Sequence, residues 1–279
     1  MQETSLTRQD EKALKALIDW WAEAGLELDA PIVRARPGLA PAAAAPAKPR
    51  AIAEPPRAAT AAAARAAGFG NTPKAGPGAQ EAAAKADTLD ALKAVISEFE
   101  GCALKRTARN TVFARGHSEA RIMIVGEAPG RDEDEQGKPF VGRSGQLLDR
   151  MFAAIGLGED DLYISNIVNW RPPGNRNPTQ EEIAICLPLI ERHIALKAPD
   201  ILVVAGGVSA QSLLRSQTGI TRLRGQWAEY KLRDASGKET GQSVPCLPIF
   251  HPSFLLRQPA SKRQAWADMQ ALEARLKSS

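Results

Sequence analysis

Cysteine is scarce in this chain, and the little there is stands apart. Cys102, Cys186 and Cys246 are the only three among 279 residues, and no two of them form a CxxC pair. That pattern excludes a disulfide framework and argues against a metal site built on thiols; buried, reduced side chains are the default for such residues. Long apolar runs are missing as well. None reaches the roughly 20 residues that a membrane span needs, and the opening MQETSLTRQDEK lacks the basic-then-apolar order of a signal peptide. The chain therefore reads as cytoplasmic, with no membrane attachment. Aromatic residues make up only 5% of it, diluted by a long alanine-rich stretch. Nor does a lysine follow its glycine pairs as a P-loop would require, which argues against a nucleotide hydrolase.

What is present divides into three parts. Residues 1–29 hold an amphipathic helix from about Thr7 to Leu28, in which Leu14, Leu17, Ile18 and Trp21 recur at helical spacing. The Trp20-Trp21 pair on it suits either packing on the main domain or docking to a partner. Residues 30–86 shift to Ala, Pro and Gly with scattered Arg and Lys. So few large apolar groups cannot offset the entropy of ordering the chain, and this segment reads as a disordered basic linker, with at most brief helix around AAAARAA and AQEAAAKAD. Its charge and the formal net charge of +4 favour a polyanionic partner without requiring one.

The folded domain spans residues 87–279. Four β-rich runs, Ile122 to Val125, Asp161 to Val168, Ile201 to Ala205 and Cys246 to Phe250, alternate with helical segments. Among the helices, Thr88 starts one through Phe99 and a Thr179/Glu182 capping box starts another through Lys197. A further helix begins near Ser144, the last covers about Lys262 to Leu276, and Gln226 to Val244 reads as an edge hairpin or loop. The pattern is an α/β fold with a central parallel sheet covered on both faces.

Such a fold gathers the loops at the carboxyl ends of its strands, the usual place for chemistry. These loops are GEAPG, SNIVNWRPPGNR, AGGVS and FHPSFLLR, and together they carry Glu127, Asn166 and His251, with Phe140 following in KPFVG. An Asn amide matches the donor–acceptor edge of a nucleobase, and a Phe offers a face for base stacking. An imidazole can stabilise negative charge on a carbonyl oxygen, and a carboxylate can orient water or face a cationic sugar. Taken singly each admits a structural role: a turn Asn, a packed strand-end His, an acidic surface loop. Together they suit cleavage of a base–sugar bond after the base leaves the helix.

GEAPGRDEDEQGKPFVGRSGQLLD, NIVNWRPPGNRNPT, ILVVAGG and HPSFLLR, in that order, resemble the motifs of the family-4 uracil-DNA glycosylases, over roughly Leu89 to Leu276. The resemblance implies a three-layer αβα sandwich on a four-stranded parallel sheet and a monofunctional enzyme that excises uracil from DNA as a monomer. It makes Glu127 the catalytic carboxylate and His251 the group that stabilises departing uracil. Phe140, Asn166 and the main chain at Ala128 would bind the base. Arg176 and Ser253 would contact phosphate, and Leu255, Leu256 and Arg257 would enter the minor groove and fill the gap left by the flipped base.

Three departures matter. Ala128 stands where other branches of the superfamily carry a water-activating Asp, so Glu133 becomes a reserve catalytic carboxylate and a non-catalytic uracil- or abasic-DNA binder is the rival reading. The family holds an iron–sulfur cluster on four cysteines. Here Cys102 and Cys186 match two of these positions, while Phe99 and Trp170 replace the others, so no cluster and no other cofactor is expected. Finally, GNRNP carries neither the histidine nor the basic insertion of a relative that traps DNA covalently, so trapping is not expected.

Overall fold

The computed structural model describes residues 78–278, and before them only Lys15 and Ile18, both helical and exposed. The Trp20-Trp21 pair and the expected linker up to residue 77 lie outside the described residues.

The linker expectation fails at its end. Ala79–Ala84 forms helix α1, with Ala79, Ala83 and Ala86 fully buried. Alanine stripes bring helices close without needing large side chains. The guanidinium of Arg192 donates to the Ala86 carbonyl at 2.9 and 2.7 Å, and the Gln80 amide donates to the Ala235 carbonyl at 2.9 Å. The folded domain thus begins before residue 87.

Helix α2 (Leu89–Glu98) starts at Thr88, whose hydroxyl accepts from the Ala91 N–H. Then follow β1 (Arg115–Gly116), β2 (Ile122–Gly126), α3 (Arg131–Gln136), α4 (Arg143–Ala153), β3 (Leu162–Asn166) and α5 (Gln180–Lys197). After these come β4 (Ile201–Ala205), α6 (Gly207–Leu213), α7 (Ile220–Leu223), β5 (Ala228–Arg233), β6 (Glu239–Ile249), α8 (Pro252–Arg257) and α9 (Lys262–Ser278). The acidic run 132–135 is therefore helical rather than a loop: its first turn is acidic, as a helix N-terminus favours, and Gly137 ends it at φ 68°.

The strand order is β1-β3-β2-β4-β6-β5. β3, β2, β4 and β6 are mutually parallel, giving the expected four-stranded core, and antiparallel β1 and β5 extend it to six. Alternation along these strands divides the core in two. Met123, Val125, Leu202, Val204 and Cys246 pack with α1, α2, α5 and α6. Ile122, Ile124, Ile201, Val203, Leu247 and Ile249 pack with α4, α8 and α9. This is the three-layer sandwich. The chain leaves β2 for one face (α4) and neighbouring β4 for the other (α6), so a topological switch point opens between them at the carboxyl edge.

Candidate active site

A cleft of about 850 Å³ lies at that edge. Glu127, Ala128, Phe140, Asn166, Arg176, Ser253, His251 and Arg257 all line it, so most of the residues singled out from sequence meet in one place. The floor is built by register. Gly126 pairs with Asn166 across β2 and β3, and the pairing runs on as the Ile167 and Val168 N–H groups donate to the Gly126 and Glu127 carbonyls, each at 3.0 Å.

Glu127 is half-buried, and its carboxylate makes no hydrogen bond to another described residue. Burial pushes its pKa above the ordinary carboxylate value. Asn166 is 2% exposed, and its Oδ1 is buried without a partner. An unpaired buried carbonyl oxygen costs free energy unless a ligand or water meets it. Asn166 Oδ1 and the Phe140 ring crowd Gly126 so closely that a Cβ there would fall 2.4 Å from the one and 2.6 Å from the other. Only glycine fits.

His251 precedes α8. Its Nδ1 accepts from the Ser253 N–H at 3.1 Å and lies 2.8 Å from the Ser253 hydroxyl. A backbone N–H can only donate, so Nδ1 must be the unprotonated nitrogen and the ring proton sits on Nε2. Burial, with Arg257 nearby, lowers the pKa of His251 to about 4. The imidazole is therefore a neutral donor through Nε2–H. Ser253, expected at a phosphate, instead orients this ring.

Phe140 holds its backbone at φ 54°, a left-handed conformation that costs a bulky side chain on the order of 1–3 kcal/mol. Its ring stacks near His251, with centroids 5.5 Å apart and planes at 29°. The strain is held by neighbours. A Cβ on Gly145 would lie 1.6 Å from the Phe140 carbonyl oxygen, so α4 approaches this backbone as only glycine allows.

Other expectations change. Both carboxylate oxygens of Glu133 are engaged by backbone N–H groups, from Gly130 at 3.1 Å, Val141 at 3.0 Å and Gly142 at 2.9 Å. That use ties the two loops together and leaves it a scaffold rather than the reserve base. Leu255 is fully buried in the core beneath α8, because it falls one turn after buried Pro252. It cannot be the wedge, and Leu256, half-buried against the same core, is not part of the cleft lining. Phe254 and exposed Arg257 reach the rim instead. Arg176 lies at the cleft with its guanidinium held bidentately by Glu182 at 2.8 and 2.6 Å, so its charge is largely neutralised there. Arg143, exposed at the start of α4, also lines the cleft and went unnoticed in the sequence.

A family model described as the uracil DNA glycosylase superfamily matches residues 113–270. The chain belongs to this superfamily. It is 35% identical over 190 residues to the type-4 uracil-DNA glycosylase of Archaeoglobus fulgidus, covering 67% of this chain and 92% of that protein. The type-4 enzyme of Pyrobaculum aerophilum is 37% identical over 186 residues, 65% of this chain and 91% of that one. A stretch of 157 residues is also 32% identical to a DNA polymerase of Bacillus phage SP01, over 16% of that polymerase.

The cluster position implied by family-4 resemblance does not fit a cubane. Cys102 and Cys186 are there, with sulfurs 3.9 Å apart. Trp170 is fully buried and donates through Nε1 to Thr111 Oγ1 at 3.1 Å. Its ring stacks on Phe99, centroids 6.3 Å apart at 25°. Phe99 in turn folds over Gly101, where a Cβ would lie 2.3 Å from the ring. The hydrogen bond to Cys102 and then burial push the Cys186 thiol well up. One indole and one phenyl ring stand at the positions of two ligands, and the Cys186 sulfur is held as a thiol. Among the described residues no group of three or more metal-binding side chains occurs, and no helix is long and apolar enough to cross a membrane.

Proposed function

We propose that the protein is a monofunctional uracil-DNA glycosylase, flipping uracil from DNA and hydrolysing its N-glycosidic bond to leave an abasic site. The observation that carries this is the unpartnered, buried Oδ1 of Asn166 in one cleft with the Nε2–H donor of His251. An acceptor and a donor, fixed beside an aromatic face, match the imide edge and a carbonyl of uracil. Asn166 is almost wholly buried, so a base must leave the duplex to meet its amide.

In the reaction the C1′–N1 bond breaks with its electron pair leaving on uracil, where negative charge gathers at a carbonyl oxygen. His251 donates its Nε2–H to that oxygen and remains neutral beforehand because of its lowered pKa. The Glu127 carboxylate faces the cationic sugar and orients water, which adds to C1′; the proton that water loses ends on the uracil anion, which leaves as neutral uracil. Phe140 stacks on the base. Among the described residues no lysine lines the cleft, so no Schiff base forms and the strand stays intact. Arg143 and Arg257 at the rim supply charge for DNA phosphates. The enzyme works as a monomer, without an iron–sulfur cluster, and the N-terminal segment serves a repair partner.

The rival is a binder without turnover, favoured by Ala128, which offers no carboxylate where a water-activating one could stand. A uracil-containing oligonucleotide separates the two. Release of free uracil with an alkali-labile abasic product supports the enzyme; stoichiometric binding without free uracil overturns it.

A further inference from the structure

Arg115 lies on edge strand β1 and is no part of the cleft lining, yet its guanidinium is committed to the loop that carries Phe140. Nε donates to the Pro139 carbonyl at 2.9 Å and Nη2 to the Phe140 carbonyl at 3.1 Å. Nη2 also reaches Asp149 Oδ1 on α4 at 2.6 Å, and Nη1 lies 3.6 Å from Glu159. The side chain is 9% exposed, so these carbonyls have no ready water to replace it. On the other side of Phe140, Glu133 holds the next two N–H groups. The residue in the left-handed conformation is thus gripped by a cation before it and a carboxylate after it, and its ring is pressed on Gly126 beside His251.

We infer that Arg115, locked by Asp149, is a positioning residue that holds Phe140 in its strained conformation as the stacking platform for the base. This rests on the proposed base-excision function. The planar fork matters here, because three acceptors at different angles need several fixed donors; a lysine ammonium at the end of a flexible stem satisfies fewer of them. Released from this grip, Phe140 relaxes toward negative φ and its ring leaves the face of the base. A displacement of about 1 Å in a positioning group lowers rates by up to roughly a hundredfold.

The test is a double-mutant cycle read as single-turnover uracil release from an oligonucleotide with one uracil, using Arg115→Lys, Phe140→Ala and the pair. Arg115→Lys is expected to slow release by roughly tenfold to a hundredfold, while affinity for DNA without uracil stays within about twofold. In the Phe140→Ala background the same change should cost less than about threefold. Asp149→Asn should reproduce the effect of Arg115→Lys in smaller measure. Equal losses in both backgrounds would overturn the inference, because Arg115 would then act on stability or on another group; so would failure of both Arg115→Lys and Asp149→Asn to fold. Inactivity of the unaltered protein would sink the excision reading itself, a result distinct from either.

Discussion

Replacing His251 by alanine removes the neutral Nε2–H donor proposed to meet the departing base. The hydrogen bond from the Ser253 N–H to Nδ1 fixes the proton on Nε2. Loss of one preorganised donor to a developing oxyanion costs about 2.7–4 kcal/mol of barrier, roughly 10²–10³ in rate. The same substitution removes an acceptor at the start of α8, which is worth about 0.5–2 kcal/mol of stability. For a domain of this size each 1 kcal/mol lowers Tm by about 2–4 °C, so the variant should melt a few degrees lower and remain folded at assay temperature. Single-turnover release of uracil, measured beside a melting curve, separates the two effects. The pH profile carries further information. Burial and Arg257 keep His251 neutral down to about pH 4, so its own titration contributes no break between pH 5 and 8 in the unaltered enzyme. The variant should be slower by a constant factor across that range. A loss smaller than threefold, or a wild-type break near pH 6.5 that disappears in the variant, would refute the neutral-donor role.

The remaining expectations concern Glu127 and the vacated cluster position. Burial raises the pKa of Glu127, so activity that needs its carboxylate falls as pH drops through this raised value; Glu127→Gln should remove that acidic limb and slow release at neutral pH. The linkage sign is opposite for stability: a carboxyl whose folded pKa is raised stabilises below its unfolded pKa and loses that contribution as pH rises through the folded value. Glu127→Gln should therefore melt slightly higher than wild type at neutral pH but not at acidic pH, and a lower Tm at neutral pH would contradict this. Trp170→Ala removes a fully buried ring stacked on Phe99 and should cost about 3–5 kcal/mol, read as a lower denaturant midpoint. Purified wild-type protein should contain no iron by elemental analysis, and stoichiometric iron would overturn the absence of a cluster.

Most of the fold was legible because each layer repeats a simple signal. β2, β3 and β4 are short buried runs, the longer β6 shows itself by its apolar end before His251, and α5 announces itself through Thr179 and Glu182, whose reciprocal bonds the structure contains. The edges were less legible. β1 has two residues, Arg115 and Gly116, too few to carry any alternation. The packing of helix α1 was hidden for another reason: alanine is as frequent in a flexible linker as in a close helix contact, and contacts more than a hundred residues away, Arg192 to Ala86 and Gln80 to Ala235, distinguish them. Leu255 was misassigned because sequence order gives no face. Once α8 begins at Pro252, the helical period turns Leu255 inward and leaves Phe254 and Arg257 outward.

The site shows the same division between chemistry and support. Glu127, Phe140, Asn166 and His251 could be named because their side chains have functional groups suited to a base and a sugar. The residues that hold them use ordinary groups for backbone contacts, and nothing in their local sequence marks that use. Glu133 looked like a spare catalyst because a carboxylate in an acidic run near the site is chemically capable; its three backbone partners show that its charge is already employed. Nothing in the sequence around Arg115 marks it, yet it meets two consecutive carbonyls of the strained turn. In this molecule the strain at Phe140 is the link: a bulky residue with φ at 54° persists only where neighbours overdetermine it. The support therefore has to come from residues distant in sequence, Arg115 on one side, Glu133 on the other and Gly145 beneath. The base platform proposed for Phe140, built this way, is rigid before the base arrives, so binding uracil need not supply the free energy of ordering it.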